Sequence, residues 1–402
     1  METTAFKNPF RPGAGHMPPY LAGRDEEIQE FGKLLDQTVI LSNMVLTGLR
    51  GVGKTVLLDT FRPMAINNGW LWVGTDLSEA ASLNEENIAI RLLTDLSVIT
   101  SSIVIKSSIK KEIGFVSKEK LVQERLTFQV LHEIYQSTPG LVIDKLKKIL
   151  EVTWACFKGS RLKGIVFGYD EAQNLCDHAE KNQYPLSLLL DTFQSIQKKN
   201  IPFLLVLTGL PTLFPKLVEA RTFAERMFRV VFLDRLNSSD SKAAILKPIQ
   251  KDGCPICFDD TSIDTIVDIS GGYPYFIQFI CREVFDIFIQ KFAKNEKPLV
   301  PVESIIRKLD SDFFAGRYSR ATDRQRELLS IISMLKTSDS EFTVQEIVDL
   351  SKEKLQKPFG SSHVNQMLTS LSESGLVYKN RHGKYSFSVP LLGRFIRRQL
   401  QS

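Results

Sequence analysis

The sequence predicts an α/β protein: a three-layer domain on a parallel sheet, then a mainly helical segment, then a small domain of helices with a β-hairpin. Three observations carry this. Short apolar runs alternate with helical patterns through the first 237 residues, the rhythm of strands buried between two helical layers. A glycine-rich stretch, GLRGVGKT (48–55), joins one such run to a helical pattern. Beyond residue 321, three helical stretches precede two strand-like runs joined by a turn holding Asn380 and Gly383.

Taken in order, residues 1–22 form a polar leader whose freedom is limited by Pro9, Pro12, Pro18 and Pro19. The core domain is expected over 23–237. It opens with a helix for which Asp25 is the N-cap and Ile28, Phe31, Leu34 and Leu35 the apolar stripe. Strands are expected at about 43–47, 69–77, 164–173, 201–211 and 228–236, with a helix at 186–199. Residues from about 95 to 130 break this rhythm. Their alternation reads as a hairpin insertion exposing Lys106, Lys110 and Lys111, either partner-facing or a plain surface excursion. A helical lid and linker span 238–318, and a winged-helix domain spans 319–402 and ends in the amphipathic LLGRFIRRQL.

The chain has 402 residues, 43% hydrophobic and 24% charged, as in ordinary globular proteins. No apolar run reaches 18 residues, so no transmembrane helix is expected. The start lacks the apolar centre of a signal peptide, and a cytoplasmic location is the expectation. Five cysteines make no disulfide framework. The lone C-x-x-C of Cys254 and Cys257 reads as loop and core thiols rather than a zinc site. Net charge is +5, unevenly spread: residues 352–402 hold nine Lys/Arg against two Glu, leaving the remainder at −2. A polyanion partner is therefore sought at the C-terminal end.

Gly48 to Thr55 match G-x-x-x-x-G-K-[ST] at every fixed position, in the strand–loop–helix setting this motif needs. Gly48, Leu49, Arg50, Gly51, Val52, Gly53, Lys54, Thr55 and Val56 are the expected binding segment for ATP. The glycines let backbone N–H groups turn toward phosphate, and the following helix adds its positive N-terminal end. Lys54 is expected on the β- and γ-phosphates and the Thr55 hydroxyl on Mg²⁺. The run IVFGYDEAQ places Asp170 and Glu171 at a strand end, Asp170 as the metal-associated acid and Glu171 as the general base for a water. Thr208, in LTGLP, is expected beside the phosphate loop, on the γ-phosphate or the attacking water, or satisfied locally. Arg226, ahead of Arg229, is expected to reach a neighbouring subunit's γ-phosphate; a solvated helix-end charge is the alternative.

The order GLRGVGKT, YDEAQ, LTGLP, an arginine-bearing helix, GGYPYF and a winged helix resembles AAA+ ATPases of the origin-recognition and STAND-like groups. With NPFRPGAG, PPYLAGRDEE and the final FSVPL, it is more closely similar to a bacterial family of ATP-binding AAA proteins. This resemblance covers essentially the whole chain. It implies an AAA+-like P-loop NTPase core with a helical lid, Leu21 to Arg24 and the preceding prolines near the adenine, and Pro274 of the lid on the base or ribose. Tyr273 and Tyr275 stand where initiators carry a sensor arginine, which argues against arginine sensing from that motif.

The winged helix admits two partners. For duplex DNA, the third helix would offer Ser361, Ser362, His363, Asn365 and Gln366, and the wing Lys379, Arg381, His382 and Lys384. That helix has no Lys or Arg of its own, which favours a docked protein. The expected function is an ATP-hydrolysing switch coupling nucleotide state to homo-oligomerisation and DNA binding. The alternative is an ATP-bound scaffold recruiting a separately encoded partner, as in a defence or mobile-element system. A metabolic kinase is disfavoured, because no second substrate signature accompanies the motif.

Overall fold

The computed structural model describes residues 7–102, 104–113, 116–250, 254–381 and 383–401. They fall into two compact units that cut across chain order: Glu26–Thr47 with Leu57–Phe232, and Met1–Asp25 with Gly48–Val56 and Leu233–Ser402.

In the first unit the apolar runs become strands buried on both faces, as parallel strands between helical layers must be. Helix α1 (Asp25–Leu35) leads to β1 (Asn43–Gly48), α2 (Lys54–Asn67) and β2 (Trp70–Val73). Helix α3 (Glu85–Thr100) is followed by an antiparallel ribbon of β3 (Val104–Ile113) and β4 (Val116–Arg125). The side chains of Lys106, Lys110 and Lys111 lie outside the described residues. Next come α4 (Phe128–Ser137), α5 (Val142–Phe157), β5 (Gly164–Tyr169), α6 (Pro185–Lys198) and β6 (Phe203–Gly209). Helices α7 (Leu213–Ala220) and α8 (Ala224–Met227) precede β7 (Phe228–Leu233).

The five-stranded sheet has the order β2-β5-β6-β1-β7. Strand β1 runs parallel to β6 with Leu46 opposite Thr208, and β6 parallel to β5 with Leu207 opposite Tyr169. Every residue of the three central strands is buried, whereas edge strand β7 shows Val230 and Phe232 to solvent. Phe167 packs between Phe193 and Phe203, with ring centroids 4.9 and 5.4 Å away. Truncating such a buried ring costs about 3–5 kcal/mol. Two expected strands end early for a backbone reason. Gly74 takes a φ of +126°, closing β2 at Val73, and Glu171 takes a φ of +51°, closing β5 before its acidic pair.

The second unit has its own core, which includes Phe276, Phe285, Leu328 and Phe395. Helix α9 (Ser238–Leu246) is capped by the Asn237 side chain, which accepts from the Asp240 N–H. Asp259 caps α10 (Asp260–Ser270) in the same way. Pro274 starts α11 (Pro274–Ala293), where its missing N–H costs nothing. Then come α12 (Val302–Leu309), a π-helical turn (Asp310–Ala315) and the short α13 (Gly316–Tyr318).

The remaining order is α14 (Asp323–Met334), β8 (Phe342–Thr343), α15 (Val344–Lys354), α16 (Ser361–Glu373), β9 (Val377–Arg381), β10 (Lys384–Phe387) and α17 (Leu392–Gln399). Capping boxes Thr322/Gln325 and Thr343/Glu346 start α14 and α15. Three helices with an antiparallel β8-β10-β9 sheet are the winged-helix arrangement. The third strand, β8, is two residues long, too short for any periodicity to reveal.

The leader is tied down. Phe10 is buried edge-on to Phe285 at 6.3 Å, Asn8 Nδ2 donates to Arg282 O and Asp286 Oδ1, and Arg11 N donates to Gln278 Oε1. The basic C-terminal end is also partly spent inward. Arg394 donates to Asp268 O at 2.7 Å, Arg397 to Ser333 O at 2.6 Å, and Arg398 pairs with Asp310. The +7 of residues 352–402 therefore overstates the charge left for a partner. Among the described residues no helix is long and apolar enough to cross a membrane.

Candidate functional site

The expected phosphate loop, residues 48–56 in the second unit, is shaped by its glycines and by contacts to its backbone. Gly51 and Gly53 have φ of +79° and +95°, a region closed to most side chains. A Cβ on Gly48 would stand 2.3 Å from Leu233 O. Helix α2 begins at Lys54, immediately after this turn, so its first turn is continuous with the loop. The Lys54 ammonium, itself buried, donates to Gly48 O and Leu49 O, both at 2.9 Å. Val52 is buried, while Arg50 is exposed.

Two further segments of the same unit hold the loop. Arg24 is buried, and its Nη2 donates to Val52 O at 2.9 Å and to Asp234 O at 2.8 Å. Arg24, one of the residues expected near the adenine, clamps the loop's main chain. From α11, Tyr275 N donates to Gly51 O at 3.1 Å, which puts Pro274 one residue from a loop contact. Leader residue Gly15 lies so close that a Cβ there would meet Thr55 Cγ2 at 3.1 Å. Sequence reasoning missed the Arg24 and Gly15 contacts; the neighbouring G-R-D-E and P-G-A-G runs carried no phosphate signal of their own.

The acidic strand end, in the first unit, is built from side chains. Asp170 is buried and accepts from the Thr208 hydroxyl and from Glu171 N at 2.7 Å. Its main chain is pinned by Asp170 N to Thr75 O at 3.2 Å and by Leu77 N to Asp170 O at 2.9 Å. Glu171 sits in the left-handed region, a costly conformation for a residue with a Cβ. Gln173 orients its carboxylate, donating through Nε2 while its Oε1 accepts from Leu210 N at 3.1 Å. Gln173 was not singled out from the sequence, though it is the last residue of YDEAQ. Asp59 and Asp76 carry raised pKa values, chiefly from burial and next from the charge of Asp170.

The other expected residues are more dispersed. Arg226 is exposed on α8, and Arg229 on β7 pairs with Glu30. Ser361, Ser362, His363, Asn365 and Gln366 are all exposed on α16, and Lys379 is exposed on β9. Lys384 is half-exposed at the start of β10. The Arg381 side chain and His382 lie outside the described residues. The sulfurs of Cys254 and Cys257 donate to Ile256 O and Phe258 O. Among the described residues no three His, Cys, Asp or Glu side chains could hold a metal ion. Mg²⁺ held by one carboxylate, a hydroxyl and phosphate oxygens needs no such group; the buried Asp170 carboxylate in the first unit and the Thr55 hydroxyl in the second are each oxygen donors of the kind it takes.

A parallel five-stranded sheet, a lid unit and a winged helix define the AAA+ fold of the origin-recognition type. The chain is similar to ORC2 of Aeropyrum pernix in its ADP form, at 13% identity and TM-score 0.55, over 97% of this chain and 98% of that one. The ADPNP–ADP complexes of that ORC2 give 13% identity and TM-score 0.52 over the same shares. At that identity the likeness speaks for the fold alone. Residues 311–396 match a family described as a domain of unknown function, DUF8462. No curated protein matches the chain.

Proposed function

We propose that this protein is an ATP-binding and ATP-hydrolysing switch. The observation that carries it is the loop itself: two left-handed glycines, a buried lysine and a helix starting at that lysine. The ORC2 structures of like fold are ADP and ADPNP complexes, which supports the nucleotide. In this reading residues 48–56 wrap the phosphates, Lys54 neutralises them, and Pro274 lies near the base or ribose. Thr55 and Asp170 would hold Mg²⁺, which lends Lewis acidity to the phosphate oxygens when bound. Glu171 takes the proton of the attacking water, aimed by Gln173 and by its own fixed backbone. Thr208 keeps Asp170 in place.

The reading extends to a homo-oligomer in which the exposed Arg226 reaches a neighbour's γ-phosphate, with edge strand β7 offering Val230 and Phe232 beside it. It also extends to duplex DNA, engaged by α16 and by Lys379, Arg381 and Lys384 of the wing. A second reading, a winged helix that docks a separately encoded protein, is favoured by one observation. The exposed face of α16 carries no cation, and Arg394, Arg397 and Arg398 are engaged within the chain.

Steady-state ATP hydrolysis with and without duplex DNA, beside Glu171→Gln, tests the proposal. Turnover is expected to fall about 100-fold or more in the variant while ATP binding stays. Equal turnover in both proteins would remove Glu171 as base. DNA stimulation supports the DNA arm, and turnover indifferent to DNA supports the docked protein.

A further inference from the structure

The ribbon of β3 and β4 is a sheet of two strands on its own. Ten register pairs run without a break from Val104 opposite Arg125 to Ile113 opposite Val116, about 33 Å of strand. The root of the ribbon is fixed in the first unit. There the Thr100 hydroxyl, at the end of α3, donates to Leu126 O at 2.6 Å, and both residues are buried. Beyond that root the pairing satisfies one side of each strand. Antiparallel alternation turns the N–H and C=O of every second residue outward, and among the described residues no further strand takes them. A two-stranded ribbon is marginal in water by itself, and an added strand is what such an edge accepts.

The sequence of β3 suits a strand of the same kind laid against it. Ile109 stands at its middle, with Ile105 and Ile113 four positions to either side, Lys106 three before it and Glu112 three after. A twofold axis through an antiparallel pair has to pass through a residue opposite itself, because narrow and wide pairs alternate along the ladder. With Ile109 opposite itself, Ile105 falls opposite Ile113, Lys106 opposite Glu112, Ser107 opposite Lys111 and Ser108 opposite Lys110. Every charge then meets its opposite or a serine, and every isoleucine meets an isoleucine. The adjacent centres do not share this: one at Ser108 sets Lys106 against Lys110, and one at Lys110 sets that lysine against itself. Like charges directly opposite destabilise a ladder, so the pattern selects one register. The outer edge of β4 offers less. A centre at Leu121 opposes Lys118 to Glu124 but brings only one apolar residue against its like.

We propose that β3 is a dimerisation edge: it pairs antiparallel with β3 of a second copy about a twofold axis at Ile109, joining two ribbons into one four-stranded sheet in the order β4-β3-β3-β4. The contact is isologous, so each half supplies the other's complement and the assembly closes at two. The opposed isoleucines, β-branched, contribute the cross-strand packing, and the two Lys106–Glu112 pairs set register and orientation. This pairing uses neither the phosphate loop nor β7, and it needs no nucleotide.

The test is sedimentation velocity of the nucleotide-free full chain, for the wild type and for Lys106→Glu, Glu112→Lys, the variant carrying both changes and Ile109→Lys. The wild type is expected to show a monomer–dimer equilibrium that shifts with concentration. Each single charge change sets two like pairs opposite one another and should weaken the dimer about tenfold or more. The variant with both changes regains the dimer, its charge pairs reversed. Ile109→Lys sets a lysine against itself at the axis and loses it. Mixing Lys106→Glu with Glu112→Lys restores a dimer, because two glutamates of one copy then meet two lysines of the other. A misfolded ribbon cannot produce that recovery. A monomeric wild type, a dimer indifferent to both single changes, or single variants that stay apart when mixed overturns the pairing. A monomeric wild type whose affinity for duplex DNA falls in Lys106→Glu also overturns it and makes the ribbon an arm for a polyanion.

Discussion

The phosphate loop and the acidic strand end are held by different kinds of contact. The loop is gripped through its main chain: Arg24 takes the carbonyl of Val52, Tyr275 the carbonyl of Gly51, and Lys54 those of Gly48 and Leu49. The strand end is gripped through side chains, Thr208 on Asp170 and Gln173 on Glu171. Main-chain grips tolerate change in most loop side chains and fail when the gripping residue or a left-handed glycine is lost. Side-chain grips fail one hydroxyl or amide at a time, and they set where a carboxylate points. Binding should therefore depend on a few residues steeply, and hydrolysis on more residues gradually.

Lys54→Ala challenges the comparison hardest. It removes a buried cation expected to make charge-assisted bonds to phosphate, and ATP affinity should drop about 100-fold or more. Retained affinity, measured by calorimetry, would deny the loop its role.

Arg24→Ala leaves the carbonyls of Val52 and Asp234 without this donor. A loss of about 2–4 kcal/mol is expected in urea melts, with weaker ATP binding following from a looser loop. Unchanged stability would mean the loop holds its shape without this clamp.

Thr208→Val removes a buried hydroxyl from Asp170 while keeping its volume. Hydrolysis should slow about tenfold with ATP affinity little changed, at a cost of about 1–2 kcal/mol. A fall in affinity equal to the fall in rate would place Thr208 on the ground-state nucleotide instead.

The smallest effect is in pH. Asp59 and Asp76 have folded-state pKa values above the ordinary 3.8. The folded state thus holds their protons more tightly, and the stability they contribute is present below pH 3.8 and lost as pH rises through the raised values. Asp76→Asn should therefore raise the nucleotide-free Tm by about 1–2 °C at pH 7 and leave it unmoved near pH 3.5. A rise equal at both pH values would detach Asp76 from the charge of Asp170.

Much of this was legible in the chain. The fully buried runs of β1, β5 and β6 announce central parallel strands, because only strands covered on both faces dispense with polar alternation. The glycine spacing of residues 48–55 fixes a tight turn between β1 and α2, because few residues tolerate the positive φ of Gly51 and Gly53. The three terminal helices and the wing follow from periodicity and caps. Less legible were the strand ends, which depend on single backbone angles at Gly74 and Glu171, and β8, which has no period to read.

By itself, then, the sequence determined the fold class, the glycine-rich turn between β1 and α2 and the strand end that carries Asp170 and Glu171, since each is written in a local pattern with a local physical cause. Tertiary structure alone decided that Arg24 clamps the loop, that Thr208 binds Asp170 and that three C-terminal arginines turn inward. Those pairings join residues 28 to 126 positions apart. A long side chain's partner is fixed by where packing carries its backbone, and no local pattern records that.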